Sequence, residues 1–395
     1  MTRTILRGGR VLDPANGIDA LRDVVIEDGR IAAVADPGSV APGSADVVEA
    51  VDRLLVTPGL IDLHGHWFEG SPYGIDPAIN LAGGVTSAVD AGTAGFSNFS
   101  VFRRLAIDPA PVRVIAFLHV AAAGLVSTLV GELQDFRYAR PREAAAVASE
   151  HRDVILGIKV RIGEEACGAN GSAALAAALE AAELAGLPLM SHIAHGADVR
   201  EVLTRLRPGD IVTHALTASG TGIRDDDGRL LPEAHEARRR GVLFDVGHGC
   251  GSFSWATARA ALAEGVAPDA ISTDLHRYSI ERPVVDLPLT MSKFLHLGMS
   301  LGDVVTATTV TPARAIGRSD LGTLTVGGVA DVTVLRLDET PMELSCSQGY
   351  RERVERVLRP VLTIVGGTIH RAAEVPIPLR AYLDADREVD CAVPI

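Results

Sequence analysis

The apolar and polar positions follow three different rhythms along the chain. Residues 1–55 contain short alternating runs, and Glu27-Asp28-Gly29-Arg30 between two of them is a strong signal for a hairpin turn. From residue 56 to about 318, short apolar runs alternate with alanine-rich stretches of helical length, which is the strand–helix pattern of a parallel sheet. After 318 the alternating runs return, separated by glycine-rich turns. The pattern predicts an α/β protein with a long central unit and two β-rich ends.

The central unit has the strand count of a barrel. Helical stretches such as 141–151, 173–185 and 196–206 lie between its apolar runs. Eight repeats without a long gap favour a (β/α)8 TIM-like barrel over an open sheet. The eight candidate strands lie near 60–66, 85–90, 112–119, 154–160, 187–193, 210–214, 241–246 and 270–274.

The two β-rich ends carry similar hairpin patterns, with a Gly-Gly turn in each. We therefore expect both ends to pair into one small sheet domain beside the barrel. The predicted domains are 1–55 together with 319–395, and the barrel at 56–318. Residues 371–395 have no clear period and are predicted to form an arm that packs on a neighbour, as in a homo-oligomer.

Composition and charge narrow the function classes. The chain has 395 residues, and its net charge of −13 disfavours a general nucleic-acid binder, which usually carries a basic stripe. The start of the chain lacks the apolar core of a signal peptide, and charge or glycine interrupts the longest apolar runs. We expect a soluble cytoplasmic protein that binds no membrane. The four cysteines include no CxxC pair and predict no disulfide framework: Cys167, Cys250, Cys346 and Cys391.

The first predicted barrel strand ends in two histidines, His64 and His66, separated by one glycine. Side chains at positions i and i+2 of a strand share a face, so both imidazoles can reach one divalent metal ion. The alternative is a pair of ordinary histidines near a strand end. The position of the pair after a buried-looking strand, with further candidate ligands downstream, favours the metal site.

Other polar residues also follow apolar strands, where barrel enzymes place their active sites. His192 and His214 each end such a run, although either one alone would more often be a hydrogen-bonded core histidine. Lys159 is either a snorkelling or salt-bridged lysine or a site where CO2 adds to the neutral amine to give a carbamate, because a bare buried ammonium is costly. Asp274 is either a helix N-cap or a metal ligand that also accepts a proton. His195 is the weaker candidate and is expected to be structural.

This ordered set resembles the amidohydrolase superfamily, specifically its binuclear branch of dihydroorotase-like and deacetylase-like metallohydrolases. The resemblance rests on Pro58-Gly-Leu-Ile-Asp-Leu-His-Gly-His66 and the four later ligand candidates. It implies a barrel with a small β-sandwich built from both termini, and two divalent metal ions, usually zinc. By the same resemblance His64, His66 and Asp274 would hold one ion and His192 and His214 the other, with carboxylated Lys159 and a hydroxide bridging them. Asp274 would act catalytically by moving the proton.

The sequence departs from the dihydroorotases of this family at Phe68, where they commonly carry an arginine that grips the substrate carboxylate. The apolar pair Trp67 and Phe68 favours a short acyl group or an aromatic ring instead. A cation remains available on the other side of the scissile bond. The substrate-binding candidates are Arg161, His248, His276 and Arg277, whereas Cys250 is not expected to be a nucleophile.

The leading hypothesis is a deacylase or deacetylase that removes an acyl group from a small N-acyl amino acid or O-acyl hydroxy acid by attack of the metal-bridging hydroxide. The first alternative is a cyclic-amide hydrolase, similar to dihydroorotase or hydantoinase. The more remote alternative is a non-catalytic assembly module, which usually loses its metal ligands.

Overall fold

The structure, a computed structural model, describes residues 3–127, 129–218, 222–225 and 227–375. The strands are β1 (Thr4–Asp13), β2 (Ile18–Glu27), β3 (Arg30–Ala35), β4 (Val47–Ala50), β5 (Leu55–Pro58), β6 (Leu60–Gly65), β7 (Val85–Gly95), β8 (Arg113–His119), β9 (Ile155–Ile162), β10 (Leu189–Ile193), β11 (Ile211–Thr213), β12 (Leu243–Phe244), β13 (Val332–Asp338), β14 (Met342–Ser345), β15 (Arg351–Val354), β16 (Val357–Val365) and β17 (Thr368–Arg371). The α-helices are α1 (Phe99–Phe102), α2 (Pro141–Glu150), α3 (Glu164–Cys167), α4 (Gly171–Ala185), α5 (Val199–Arg205), α6 (Pro232–Arg240), α7 (Trp255–Ala263), α8 (Leu287–His296), α9 (Leu301–Thr306) and α10 (Val310–Ala315).

Strands β6 to β12 form one parallel sheet whose order follows the chain. Residues 270–275 meet both edges of this sheet, because Ala270 bridges Asp245 and Leu275 bridges Gly65. The segment therefore occupies the eighth position of a TIM-like barrel. The predicted fold class, an α/β protein with such a barrel, is confirmed.

The eighth predicted strand, at 270–274, differs from the other seven. It is extended chain held by isolated bridges rather than a regular strand. Asp274 has a φ of 48°, so the backbone enters the left-handed region where a regular ladder would continue. The irregularity thus falls on one of the candidate ligands.

Helices on the outside of the barrel bury small side chains against the strands. Helix α4 contacts β9 and β10 and buries Ala174, Ala178 and Ala181 along one face. Alanine favours the helix and allows its axis to approach the sheet closely. The helix ends at Gly186, whose φ of 63° is the left-handed conformation usual at a helix C-terminus. This packing holds β9 and β10, which carry two candidate ligands.

The strands from both ends of the chain form one mixed sheet, in the order β17-β16-β13-β5-β1-β2-β3, with β4 paired to β1. Its core includes Leu6, Val24, Val56 and Val332. The predicted joining of the two ends is therefore observed, whereas the domain boundaries at 55/56 and 318/319 stay predictions. The predicted arm at 371–395 falls almost entirely outside the described residues.

The two sheets share one run of chain, because β5 in the mixed sheet continues directly into β6 in the barrel. A Cβ on the connecting residue, Gly59, would lie 2.2 Å from Oγ1 of Thr86, so only glycine fits there. This tight passage sets where β6 begins, and β6 carries the histidine pair. Within the described residues, no helix combines the length and apolarity needed to cross a membrane.

Candidate metal centre

The six predicted metal ligands lie at the end of the barrel where the parallel strands terminate. Each side chain is buried, with at most 8% of its residue surface exposed. They belong to β6 and the residue after it (His64, His66), β9 (Lys159), β10 (His192), the residue after β11 (His214) and the segment that fills the eighth position (Asp274).

His64, His66 and Asp274 form a compact group of donor atoms. Oδ1 of Asp274 lies 3.4 Å from Nε2 of His64 and 3.1 Å from Nε2 of His66. One donor atom from each residue lies within 4.8 Å of the other two. Zinc accepts two imidazole nitrogens and a carboxylate oxygen in catalytic sites, where a further position stays open for water or substrate. The three residues are therefore a buried candidate site for a divalent metal ion.

The remaining three candidates adjoin this group. Nδ1 of His192 lies 2.8 Å from Nε2 of His214, so the two rings direct nitrogens at the same point. The ring centroids of His214 and His64 are 5.0 Å apart. Nζ of Lys159 lies 3.4 Å from Nε2 of His64. The six side chains thus form one continuous cluster.

Hydrogen bonds from other barrel strands orient the first two histidines. Thr213 donates its hydroxyl proton to Asp245 at 2.7 Å, so the same oxygen accepts a proton from Nδ1 of His64 at 2.8 Å. Nε2 of His64 is then left with a free lone pair that faces the other candidate ligands. Nδ1 of His66 likewise lies 2.8 Å from Oγ1 of Thr93. Such outer partners fix the tautomer and orientation of metal-binding histidines.

Two of the candidate ligands have a left-handed backbone. The φ angles of His214 and Asp274 are 65° and 48°, a conformation that costs roughly 1–2 kcal/mol for residues other than glycine. Nearby glycines leave the space that these side chains occupy. A Cβ on Gly249 would lie 2.3 Å from Oδ2 of Asp274, and one on Gly247 would lie 2.9 Å from Nδ1 of His214. Backbone strain of this kind concentrates at functional sites.

Burial keeps the candidate ligands in protonation states that bind metal. It lowers the pKa of His66 to about 3 and that of His214 to about 4, and it holds the pKa values of His64 and His192 well below 6.5. These imidazoles are therefore neutral at pH 7 and offer lone pairs. Burial also lowers the pKa of Lys159 to about 7, against the pull of Asp274. A large share of this lysine is then the unprotonated amine, which is the form that reacts with CO2.

A small cleft opens beside the cluster and contains a permanent cation. Arg161 is 7% exposed, and its Nη1 lies 2.6 Å from Oε1 of the buried Glu132. Burial alone would lower the pKa of Arg161, but the charge of Glu132 and its hydrogen bond raise that pKa above its ordinary value. The cleft is lined by His66, Tyr73, Ala91, Leu125, Lys159, Arg161, His192, Asp274 and His276.

The structure separates the four predicted substrate-binding residues. Arg161 and His276 line the cleft. His248 lies elsewhere: its Nε2 is 2.6 Å from Nζ of Lys293, and its ring stacks on Phe253. Arg277 lines a different cavity. In this structure, a substrate that enters the cleft would contact Arg161 and His276 but not His248 or Arg277.

The interpretation of Trp67 and Phe68 as substrate-facing residues does not hold. They are 0% and 6% exposed, and neither lines the cleft. Phe68 packs against Phe102, with ring centroids 5.0 Å apart. The alternation of side chains along a strand does not predict where Trp67 and Phe68 point, because β6 ends at Gly65, just before them. Their relevance to the substrate is limited to the absence of an arginine at this position.

Several residues of the site escaped the sequence reasoning. Asp90, whose charge acts on His66 and Lys159, lies in a predicted barrel strand, as do His119 and Asp245, so the same strand rule could have identified them. Tyr73 and Glu132 lie in irregular connections, where no periodic signal exists. Their place in the site depends on how those connections fold back over the barrel.

Comparison with known proteins relates this geometry to one family. The sequence profile of the amidohydrolase family matches residues 55–369, which include all six candidate ligands. A deacetylase of Brucella anthropi is 38% identical over 359 residues, covering 88% of this chain and 87% of its own. A deacetylase of Agrobacterium fabrum is 38% identical over 349 residues, covering 86% and 84%.

A solved structure described as a dihydroorotase is also similar. It is 34% identical in sequence, superposes with a TM-score of 0.85, and the match covers 93% of this chain and 99% of the other. The two sequence relatives are thus named deacetylases, whereas the similar solved structure is named a dihydroorotase, so the reaction named differs among the relatives.

Proposed function

The chain belongs to the amidohydrolase family of hydrolases, and on that premise we propose that it removes an acyl group from a small N-acyl amino acid or O-acyl hydroxy acid. The proposal includes two divalent metal ions, which we take to be zinc. His64, His66 and Asp274 would hold one ion, and His192 and His214 the other. Carboxylated Lys159 would join the two.

The observation that carries the proposal is the position of Arg161. Its guanidinium lies in the same small cleft as the candidate ligands His66, His192 and Asp274. A cation next to a hydrolytic centre suits a substrate with a carboxylate close to the scissile bond, as in an acylated amino or hydroxy acid. The pairing with Glu132 through Nη1 holds the arginine in place and leaves other N–H groups of its fork for a ligand.

The chemistry divides between the metals and the side chains. When bound, two divalent ions lower the pKa of a water molecule and polarise the scissile carbonyl. Asp274 can accept the proton from the attacking water and return it to the leaving nitrogen or oxygen. Arg161 would hold the substrate carboxylate and so fix the carbonyl within reach. The buried walls of the cleft exclude bulk water and strengthen each of these interactions.

An activity screen tests the substrate class. Metal-reconstituted protein is assayed against N-acyl amino acids, acyl esters of hydroxy acids, dihydroorotate and hydantoins. We expect turnover of the first two groups. Efficient turnover of the cyclic amides alone would establish the cyclic-amide alternative, which the similarity to a dihydroorotase structure supports.

The role of Arg161 is tested with a substitution that keeps the charge beside Glu132. Arg161→Lys should raise KM for carboxylate-bearing substrates roughly 10-fold or more without loss of metal, because the ammonium lacks the planar fork. Arg200→Lys is the matched control, since Arg200 pairs with Glu233 at the same 2.6 Å on the surface. An unchanged KM in Arg161→Lys, measured against a substrate that the enzyme does turn over, would remove the arginine from the binding site.

A further inference from the structure

His119 ends β8 inside the barrel and has no solvent exposure. Its Nδ1 accepts a hydrogen bond from the backbone N–H of Ala121 at 2.9 Å. A proton on this ring must therefore be on Nε2. Among the described residues, no atom accepts that proton. A buried donor without an acceptor is destabilising, so this N–H marks a place where an acceptor is expected.

The unpartnered edge of His119 lies beside Lys159. The two residues are register partners in the adjacent strands β8 and β9. Gly92 lies against both: a Cβ on this residue would be 2.5 Å from Cγ of Lys159 and 3.3 Å from Cδ2 of His119. Cδ2 is the ring carbon bonded to Nε2. The edge that carries the free N–H thus shares a gap with the lysine stem.

While Lys159 is an amine, its surroundings contain no acceptor for the Nε2–H of His119 among the described residues. Its Nζ contacts Nε2 of His64 at 3.4 Å and Sδ of Met190 at 3.5 Å, and within the described residues it forms no ion pair. In its observed position the amine does not accept the Nε2–H of His119, which has no partner among the described residues. A carbamate on the same nitrogen adds two anionic oxygens, each with more than one lone pair.

We propose that His119 is a positioning residue for Lys159, and that its Nε2–H donates a hydrogen bond to a carboxylate oxygen of the carboxylated lysine. The inference rests on the proposed carboxylation of Lys159. In that reaction the unprotonated Nζ forms a bond to the carbon of CO2, and one N–H proton passes to water. The product is an anion, and a fixed donor beside it favours the anion over the free amine. A hydrogen bond to a charged group corresponds to roughly a 10- to 100-fold change in this equilibrium.

Two substitutions of His119 distinguish the role of its Nε2–H donor from the role of its Nδ1 contact with the Ala121 N–H. His119→Asn retains an acceptor near the Ala121 N–H but has no donor at the position of Nε2. His119→Gln places an amide N–H close to that position and gives up the acceptor. If the donor matters, the second variant resembles the wild type and the first does not. If His119 only holds the loop, the order is reversed.

The measurement is the bicarbonate dependence of lysine carboxylation in zinc-loaded protein. Carbon-13 bicarbonate is titrated in, and the carbamate resonance and bound zinc are both recorded. The chain contains two lysines, Lys159 and Lys293, so the resonance that Lys159→Ala removes is identified directly. We expect His119→Asn to require at least about 10-fold more bicarbonate for half-maximal carbamate, and His119→Gln to stay within a few-fold of the wild type.

The contrary outcomes are distinct. Wild-type protein without any carbamate resonance would overturn the carboxylation itself and the role of His119 with it. A wild-type resonance whose bicarbonate dependence is unchanged in His119→Asn would leave carboxylation standing and overturn the role of His119. Equal shifts in both variants would also overturn it, because they would trace the effect to the Ala121 contact or to packing.

Discussion

The protein buries a lysine next to a histidine in two separate regions. Lys159 lies 3.4 Å from Nε2 of His64 in the candidate metal centre, and Lys293 in α8 lies 2.6 Å from Nε2 of His248. These are the only two lysines in the sequence, and all the other residues in its lysine-plus-arginine total are arginines. They are 1% and 0% exposed, and burial lowers the pKa of each to about 7. By burial and pKa alone, the two regions cannot be told apart.

The hydrogen-bond partners distinguish them. Nζ of Lys293 has three acceptors: Nε2 of His248 at 2.6 Å, the carbonyl of Ser345 at 2.8 Å and that of Pro283 at 3.0 Å. Nδ1 of His248 is 2.9 Å from the carbonyl of Gly249 and donates to it, so Nε2 is free to accept. The three acceptors match the three donors of an ammonium group, and they tie α8 to the connection that holds His248, to the segment before the helix and to the end of β14.

Lys159 has no such set. Its neighbours are an imidazole nitrogen at 3.4 Å, which is long for a hydrogen bond, and a thioether sulfur at 3.5 Å, which is a weak acceptor. A buried lysine with three good acceptors has a structural role, whereas a buried lysine held only by two weak contacts is available for chemistry. A perturbed pKa therefore points to function only when the partners of the group are also considered.

The largest expected effect tests this distinction directly. Lys159→Ala should lose most of its bound metal and with it more activity than the roughly 10- to 100-fold that loss of an outer hydrogen-bond partner costs. Short carboxylic acids added with zinc should restore part of both, because they supply the missing carboxylate. The measurements are zinc per folded chain and kcat/KM.

Lys293→Met is the matched variant from the other region. We expect its zinc per folded chain to equal that of the wild type, although its stability should change. The comparison breaks if Lys159→Ala keeps its metal and activity. It also breaks if Lys293→Met loses metal to the same extent.

Substituting one carboxylate in each of the two regions should have a smaller effect on activity than Lys159→Ala. Asp274→Asn should keep the fold and lower kcat by a factor on the order of 10² or more, because the amide cannot take up the proton. Asp286→Asn is the control, since Asp286 is a partly buried carboxyl near Lys293 that caps α8 by accepting from Leu289 N at 2.7 Å. Comparable kcat values for metal-loaded Asp274→Asn and Asp286→Asn would remove Asp274 from proton transfer.

The sequence predicted the part of the site that obeys strand geometry. His64 and His66 were found because alternate residues of a strand share a face, and Lys159 and His192 lie within strands for which the same rule holds. The rest depends on contacts distant in sequence. Glu132 becomes a partner of Arg161 only when an irregular connection folds against β9. The ring of His248 is directed by Lys293, 45 residues further along, so its exclusion from the cleft could not be read from the local pattern.

The smallest effect concerns the charge on Lys293. Burial lowers its pKa to about 7 from 10.5, so between these values the unfolded chain binds a proton that the folded protein does not. The unfolding free energy should therefore rise with pH in this window, and the burial penalty is complete only below pH 7. The gain from pH 7 to 9 amounts to about 2 kcal/mol, from 1.36 kcal/mol per pKa unit and half protonation at the start.

Denaturant unfolding of metal-loaded wild type and Lys293→Met at pH 7, 8 and 9 measures this difference. The wild-type curve should climb more steeply by that amount, because Lys159 and the other titrating groups are common to both proteins and cancel. Parallel curves would mean that the three acceptors of Lys293 offset its burial and keep it charged in the folded protein. The two lysines would then differ in charge as well as in hydrogen-bond partners. Lys293 would be a charged structural residue and Lys159 a neutral, reactive amine.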